Sequence, residues 1–264
     1  MAVDSARPWR LPAPRSLAFA VWRRNARVWM RLVVSNLLFH FGEPLLYLLG
    51  LGFGLGRFIG EMDGVDYFAF LASGLVASSA MMSASYEGIY SAYTRMVPQK
   101  TYDGMLATPL EVDDIVAGEM LWCATKGCIS GGSILIVAAL LGAVSSVHAL
   151  LCIPLLLLVG LAFAGPALAM SAISPSYDFF SYYITLVITP MFILCGVFYP
   201  VGSLPEAVQH AVQALPLTHA VALARPLVTG APVEHALAHV AVLAGFAAAG
   251  FYVSVALVRR RFVV

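Results

Sequence analysis

The sequence predicts an all-α protein that crosses a lipid bilayer six times. Of its 264 residues, 61% are apolar and only 11% are charged, whereas a soluble domain carries about 25% charged residues. Six apolar runs approach the length of about 20 residues that a transmembrane helix needs. We expect six spans with an interfacial amphipathic helix before the first, a short helix between the second and third, and a re-entrant hairpin before the last.

Charge placement orients these spans, which are predicted at Leu32–Gly56, Tyr67–Tyr86, Met120–Gly142, Ala149–Ile173, Phe179–Tyr199 and Ala236–Val258. Thirteen of the fifteen basic residues fall on the side that holds both termini, and only Arg57 and Arg225 fall on the other. Because cytoplasmic loops are enriched in Lys and Arg, we expect a multi-pass protein of the bacterial inner membrane with both termini in the cytoplasm. The net charge of +1 gives no reason to expect a nucleic-acid partner.

The first 31 residues divide into two parts. Residues 1–15 are rich in proline and are predicted to be a disordered cytoplasmic tip, while residues 16–31 have a helical pattern. In that pattern Arg23, Arg27 and Arg31 recur every four residues, and Trp22 and Trp29 lie with other apolar residues on the opposite side. This favours a helix lying in the membrane interface; a plain positive-inside anchor is the alternative. Residues 32–264 form the transmembrane domain.

The long loop 94–115 is the most polar stretch of the chain. It nevertheless contains Tyr102, Met105 and Leu106 at helical spacing, before Pro109 ends the pattern. An apolar face on a cytoplasmic loop requires a partner to cover it, so we expect a docking helix here; a solvated connector is the alternative.

The segment 200–222 lies on the other side of the predicted membrane and is broken by prolines. Its pieces are too short to span the bilayer and too apolar for water, and irregular backbone at membrane depth persists only when protein covers it. We therefore predict a hairpin that dips into the outer leaflet.

Both segments resemble type-2 ABC exporter permeases. The loop has Lys100-Thr101-Tyr102-Asp103, Met105-Leu106 and Thr108-Pro109-Leu110 where members carry a Gly-Thr-aromatic/Leu-Glu step, an apolar pair and Thr-Pro-Leu; Lys100 and Asp103 depart from the usual Gly and Glu. The hairpin has the family's Phe198-x-Pro200, Leu204-Pro205, Pro216-Leu217-Thr218-His219 and a following Arg225. The run from Glu43 to Leu48 and the glycines after it look most like the nodulation-factor exporters of this family.

The resemblance implies an ABC ATPase that docks on the loop, which becomes a coupling loop, with two copies of each subunit. It also implies that ATP and Mg are bound by the ATPase and that this chain holds no cofactor. The substrate implied is an amphipathic, lipid-linked molecule such as a lipooligosaccharide; drug and O-antigen exporters are alternatives. In agreement, the sequence contains no Gly-x-x-x-x-Gly-Lys-Ser/Thr phosphate loop.

Two other classes of protein are less well supported. An intramembrane enzyme would be expected to show a Gly-x-Ser-x-Gly or His-Glu-x-x-His pattern, and neither occurs. A secondary transporter would be expected to show an internal repeat and more buried charges.

Several residues within the spans also attract attention. Glu43 is either a functional intramembrane carboxylate or a structural hydrogen-bond partner. Lys126 is expected to pair with Glu119 at the interface. His235 and His239 have a spacing that could hold a metal, but no acidic third ligand lies nearby and we predict no metal site. Four glycines are suited to close helix contacts: Gly50, Gly52, Gly54 and Gly56.

Overall fold

The computed structural model describes residues 8–31 and 33–263, the side chains of 34–41, 43, 44 and 263 excepted. Most of this part of the chain is helical, which confirms the predicted all-α membrane fold. The helices are α1 (Ala18–Met30), α2 (Val33–Ile59), α3 (Tyr67–Tyr86), α4 (Ala92–Met96), α5 (Thr101–Leu106), α6 (Val112–Leu140), α7 (Cys152–Ile173), α8 (Phe180–Tyr183), α9 (Thr189–Leu194), α10 (Glu206–Gln213), α11 (Pro216–Thr229) and α12 (Ala236–Val263). Short π or 3₁₀ segments lie at Glu87–Ser91, Val147–Leu151, Tyr177–Phe179, Ile184–Ile188 and Val201–Ser203.

Five helical segments of the described residues are long and apolar enough to cross a bilayer: Tyr67–Met96, Val112–Leu140, Val147–Ile173, Tyr177–Leu194 and Ala236–Phe262. The bent pair α10 and α11 would make a sixth if it were a single span. α2 is 27 residues long, and its portion Leu45–Ile59 is an apolar helix. Length and composition of the described residues are therefore consistent with five or six crossings.

The second span does not end at Tyr86 as predicted. The helix continues through the π segment Glu87–Ser91 and through α4, and it ends at Met96. The carboxylate of Glu87 is tolerated inside the helix because basic side chains of α4 and α6 reach it. α6 likewise begins at Val112 rather than Met120, so the connecting loop is shorter than the sequence suggests.

α3 lies at the centre of the bundle, between α6, α7 and α11, and α12 packs along α7. The backbones of α7 and α12 approach each other closely at two glycines: a Cβ on Gly165 would lie 2.5 Å from the carbonyl carbon of Gly250. Between α2 and α3, β1 (Glu61–Met62) pairs antiparallel with β2 (Val65–Asp66). Asp63 and Gly64, both with positive φ, form the two-residue turn that such a hairpin favours.

The two ends of the bundle are named by their helices. The α5 end carries α5 and both termini of the described chain, and the α10 end carries the β-hairpin and α10. The predicted site residues are distributed between these two ends.

Candidate functional site

α5 is a one-and-a-half-turn helix that stands between α4 and α6 at the α5 end. The residue before it, Lys100, adopts the left-handed conformation with φ 50° and ψ 30°. This region of backbone space is sterically open to glycine and costly for other residues. The geometry therefore accounts for the Gly that the family resemblance leads one to expect at this position.

The apolar side of α5 faces its own chain. Tyr102 is only 2% exposed, and its ring stacks on Phe262 of α12 with ring centroids 6.0 Å apart. Met105 and Leu106 are half-buried against the same core. The prediction of a bare apolar face that includes Tyr102 is therefore wrong, because α4, α6 and α12 already cover it.

The exposed side of α5 is small and polar. Its outward residues are Lys100, Asp103, Gly104 and Ala107, and a Cβ on Gly104 would meet no atom within 4 Å. Thr108 and Pro109 follow and are exposed too, with the Thr108 hydroxyl donating to the carbonyl of Met105 at 2.6 Å. Thr101, half-buried, begins the helix. A partner would meet this polar surface.

Behind α5 lies a cluster of buried charges, the α5-end network. The guanidinium of Arg95 donates to both carboxylate oxygens of Glu119, at 3.0 and 2.5 Å, and to Glu87 at 3.0 Å. Glu87 also accepts from the indole N–H of Trp122 at 2.9 Å and lies 3.8 Å from the ammonium of Lys126. Two acids thus balance two bases, which is the condition for burying charges in an apolar bundle. The predicted Lys126–Glu119 pair is wrong: Lys126 pairs with Glu87, because Arg95 occupies Glu119.

Tyr102 connects α5 with this network. Burial, followed by the nearby Glu119 carboxylate, raises the pKa of Tyr102 well above its ordinary value. The phenol therefore stays neutral beside the Glu119 carboxylate. Tyr102 of α5 is thus close to Glu119 of α6, which pairs with Arg95 of α4.

The segment 8–15 is held against α6 and α12. Arg259 of α12 is buried against Asp113, which also accepts from the backbone N–H of Ala13 at 2.9 Å. Asp114 accepts from the backbone N–H of Arg15 at 2.6 Å. The prediction of a disordered tip is thus wrong for residues 8–15, while residues 1–7 lie outside the described residues. The sequence pattern indicated only a topological role for Arg15 and Arg259, and it gave no sign of their acidic partners on α6.

α1 packs along α6 by its aromatic side. The indole N–H of Trp22 donates to the hydroxyl of Thr125 at 2.9 Å, and the ring of Trp29 meets that of Trp122 edge-on at 6.2 Å. α1 and α6 approach so closely that a Cβ on Gly118 would lie 2.5 Å from a backbone oxygen of α1. The two tryptophans therefore contact protein, whereas Arg23, Arg27 and Arg31 are exposed on the opposite side.

At the α10 end, α10 and α11 meet at 89°. The buried Pro216 starts α11. Arg225, also in α11, donates to the carbonyl of Gly196 at 2.6 Å. The guanidinium of Arg225 lies 3.5 Å from the ring centroid of Phe70. His219 of α11 is 2.7 Å from His239 of α12, ring nitrogen to ring nitrogen. The predicted hairpin segment is thus anchored to α3 and α12.

The remaining residues of the predicted hairpin line the connection before α10. Phe198 packs its ring on that of Phe192 at 4.9 Å. Pro200 precedes the 3₁₀ turn, Leu204 follows it half-buried, and Pro205 precedes α10. These residues therefore shape the turn that leads into α10.

The predicted glycine contacts are formed only in part. A Cβ on Gly52 would collide with the ring of Phe68 at 2.6 Å, and one on Gly56 would reach Tyr67 at 3.8 Å. Gly50 and Gly54 have no neighbour within 4 Å of a Cβ, so their predicted contact is not formed among the described residues. The side chain of Glu43 lies outside the described residues.

The described residues thus form a multi-pass helical bundle whose loop between two spans presents a short helix backed by a charge network. Among the described residues no group of three or more His, Cys, Asp or Glu side chains could hold a metal. Comparisons with known proteins identify the family.

The model of the ABC-2 type transporter family matches residues 16–228. The chain is 44% identical over 251 residues to "Nodulation protein J" of Rhizobium meliloti (strain 1021), covering 95% of this chain and 96% of that protein. It is 47% identical over 242 residues to "Nodulation protein J" of Rhizobium leguminosarum bv. trifolii, covering 92% of each. It is 29% identical over 188 residues to the "Inner membrane transport permease YadH" of Escherichia coli (strain K12), covering 70% and 72%. No solved structure matches the chain.

The chain therefore belongs to the ABC-2 type transporter family. It is a multi-pass membrane protein and the transmembrane subunit of a type-2 ABC exporter.

Proposed function

We propose that this subunit exports an amphipathic, lipid-linked substrate of the lipooligosaccharide kind across the bacterial inner membrane. Two copies of the chain would work with two copies of an ABC ATPase, which binds ATP and Mg. Both termini, and with them the α5 end, would lie in the cytoplasm. The relatives called "Nodulation protein J" support the substrate class, and the asymmetry of the basic residues supports the orientation.

The chemistry of the spans supports an acylated substrate. Throughout α7, which exposes Ile153 and Leu157, no charged side chain occurs. Large apolar side chains are exposed on other spans, among them Leu186 and Ile193. Such walls accommodate an acyl chain without a desolvation cost, whereas a free glycan would lose its hydration. Cells that carry the subunit and its ATPase should export a labelled lipooligosaccharide and not the same glycan without its acyl chain; equal export of both would contradict the assignment.

The coupling proposal depends on one observation: α5 seats its apolar side on its own chain and leaves a small polar surface outside. In this proposal the ATPase contacts Lys100, Asp103 and Gly104, and Tyr102 carries the motion inward. Buried pairs such as Arg95–Glu119 resist separation, so a force on α5 would move α4 and α6 together. That movement would switch the permease between its export states.

Two glycines offer a matched test of the docking surface. A Cβ on Gly104 of α5, or on Gly202 at the α10 end, would meet no atom within 4 Å, so tryptophan at either position should leave the fold intact. We expect Gly104→Trp to abolish co-purification with the ATPase and export, and Gly202→Trp to retain co-purification. Normal association of the Gly104→Trp variant would show that α5 is a plain connector.

A further inference from the structure

Four arginines on and directly after α1 form a groove that the transport proposal does not use. Arg23, Arg24, Arg27 and Arg31 line a depression of about 500 Å³ together with the small residues Ser16 and Ala20. The depression is open, and every residue that lines it belongs to α1 or directly flanks it. The groove, called the α1 groove below, lies on the side of α1 opposite α6.

These arginines differ from most others at the α5 end. Arg95 and Arg259 are neutralised by buried carboxylates, and Arg15 pairs with Asp114. Within the described residues, none of the ion pairs includes a groove arginine. Arg24, whose pKa is lowered mainly by burial, donates to the side-chain oxygen of the neutral Asn25 at 3.0 Å.

Apolar side chains adjoin the same groove. Leu17 and Val28 lie on one flank and Phe19 on the other, and all three are exposed. A ligand that satisfies the whole surface would have an anionic head for the guanidinium groups and a hydrocarbon part for these side chains. A soluble anion would contact only the guanidinium groups.

We infer that the α1 groove binds the phosphate headgroup of an anionic phospholipid of the inner leaflet. The inference rests on the proposed orientation, which places α1 at the cytoplasmic membrane surface. Guanidinium groups bind phosphate through paired N–H donors, and the cytoplasmic leaflet carries the anionic lipids that attract such basic segments. The bound lipid would fix the height of α1, and through its contact with α6 the position of the α5-end network.

The test uses the purified full-length chain in neutral detergent, titrated with phosphatidylglycerol or with phosphatidylcholine and followed by native mass spectrometry. We expect retention of phosphatidylglycerol over phosphatidylcholine. The triple variant Arg23→Gln/Arg27→Gln/Arg31→Gln should lose that preference by about tenfold or more, given the contribution of each basic residue. The single variant Arg260→Gln, which removes an exposed arginine outside the groove, should leave it unchanged.

A second variant separates a headgroup site from a diffuse positive field. The triple variant Arg23→Lys/Arg27→Lys/Arg31→Lys keeps the charge and loses the paired donors. We therefore expect it to retain phosphatidylglycerol more weakly than the parent chain does. If the lysine variant retained phosphatidylglycerol as well as the parent chain does, the proposed headgroup site would be overturned. The inference would also be overturned if the glutamine variant kept its phosphatidylglycerol and instead lost the ATPase, which would assign the groove to protein docking. Neither outcome bears on whether the subunit exports, since export is assayed separately.

Discussion

The two ends of the molecule hold their polar side chains in different ways. At the α5 end, buried bases meet buried acids from other elements, as Arg95 meets Glu119 and Arg259 meets Asp113. At the α10 end, Arg225 forms no ion pair with a described carboxylate and contacts a carbonyl and an aromatic ring instead. Charge pairs connect helices strongly and resist separation, whereas neutral contacts and prolines allow a bent connection. In the proposed mechanism the α5 end transmits force and the α10 end shapes an opening.

Glu119→Ala should have the largest effect on stability. The substitution leaves Arg95 buried without its bidentate partner, and breaking such a pair costs about 3–5 kcal/mol. The free energy of unfolding, measured in detergent, should fall by that amount. Glu111→Ala is the control, because Glu111 pairs with Arg10 and Arg15 at a half-exposed site and should cost at most about 1 kcal/mol. Equal losses would contradict the buried network.

Arg225→Met should have an intermediate effect. It removes the donor to the Gly196 carbonyl and the contact with Phe70, and an unsatisfied buried acceptor costs about 1–3 kcal/mol. Unfolding of this variant is compared with that of Arg57→Met, an exposed arginine near the same end, which should be close to neutral. If Arg225→Met were as damaging as Glu119→Ala, the contrast between the two ends would be lost.

Lys100→Gly should have the smallest effect, and of opposite sign. Glycine relieves the left-handed strain at position 100 and should raise the free energy of unfolding by up to about 1 kcal/mol. Lys100→Ala removes the charge and keeps the strain, so it should give no gain. A gain with alanine equal to that with glycine would mean that charge, and not backbone conformation, is unfavourable here.

Apolar run length was sufficient to predict the fold class, and most spans lie close to where they were expected. The errors occur where charges are buried. The second span is predicted to end at Tyr86, just before Glu87, yet Arg95, Trp122 and Lys126 surround that carboxylate and the helix continues. No local pattern reveals that four such residues, distant in sequence, will meet.

The same reasoning explains what could be predicted of the site. The family motif placed α5 correctly along the chain, because Tyr102, Met105 and Leu106 have helical spacing. The surface against which this apolar face packs could not be predicted, because it includes Phe262 at the far end of the chain. Likewise, Arg259 and Arg15 are indistinguishable in the sequence from arginines that only orient the protein, such as those of the α1 groove.

The most direct test of the central claim, that the α5 end receives the ATPase, is thiol labelling of two single variants in one assay. Gly104→Cys and Gly202→Cys place thiols at open positions of opposite ends, and the native cysteines are buried or half-buried. In spheroplasts an impermeant maleimide should label position 202 directly and position 104 only after the membrane is opened. Co-expressed ATPase should then protect position 104 and leave position 202 reactive. Labelling of both positions from outside, or an unprotected position 104 in the assembled transporter, would contradict the account.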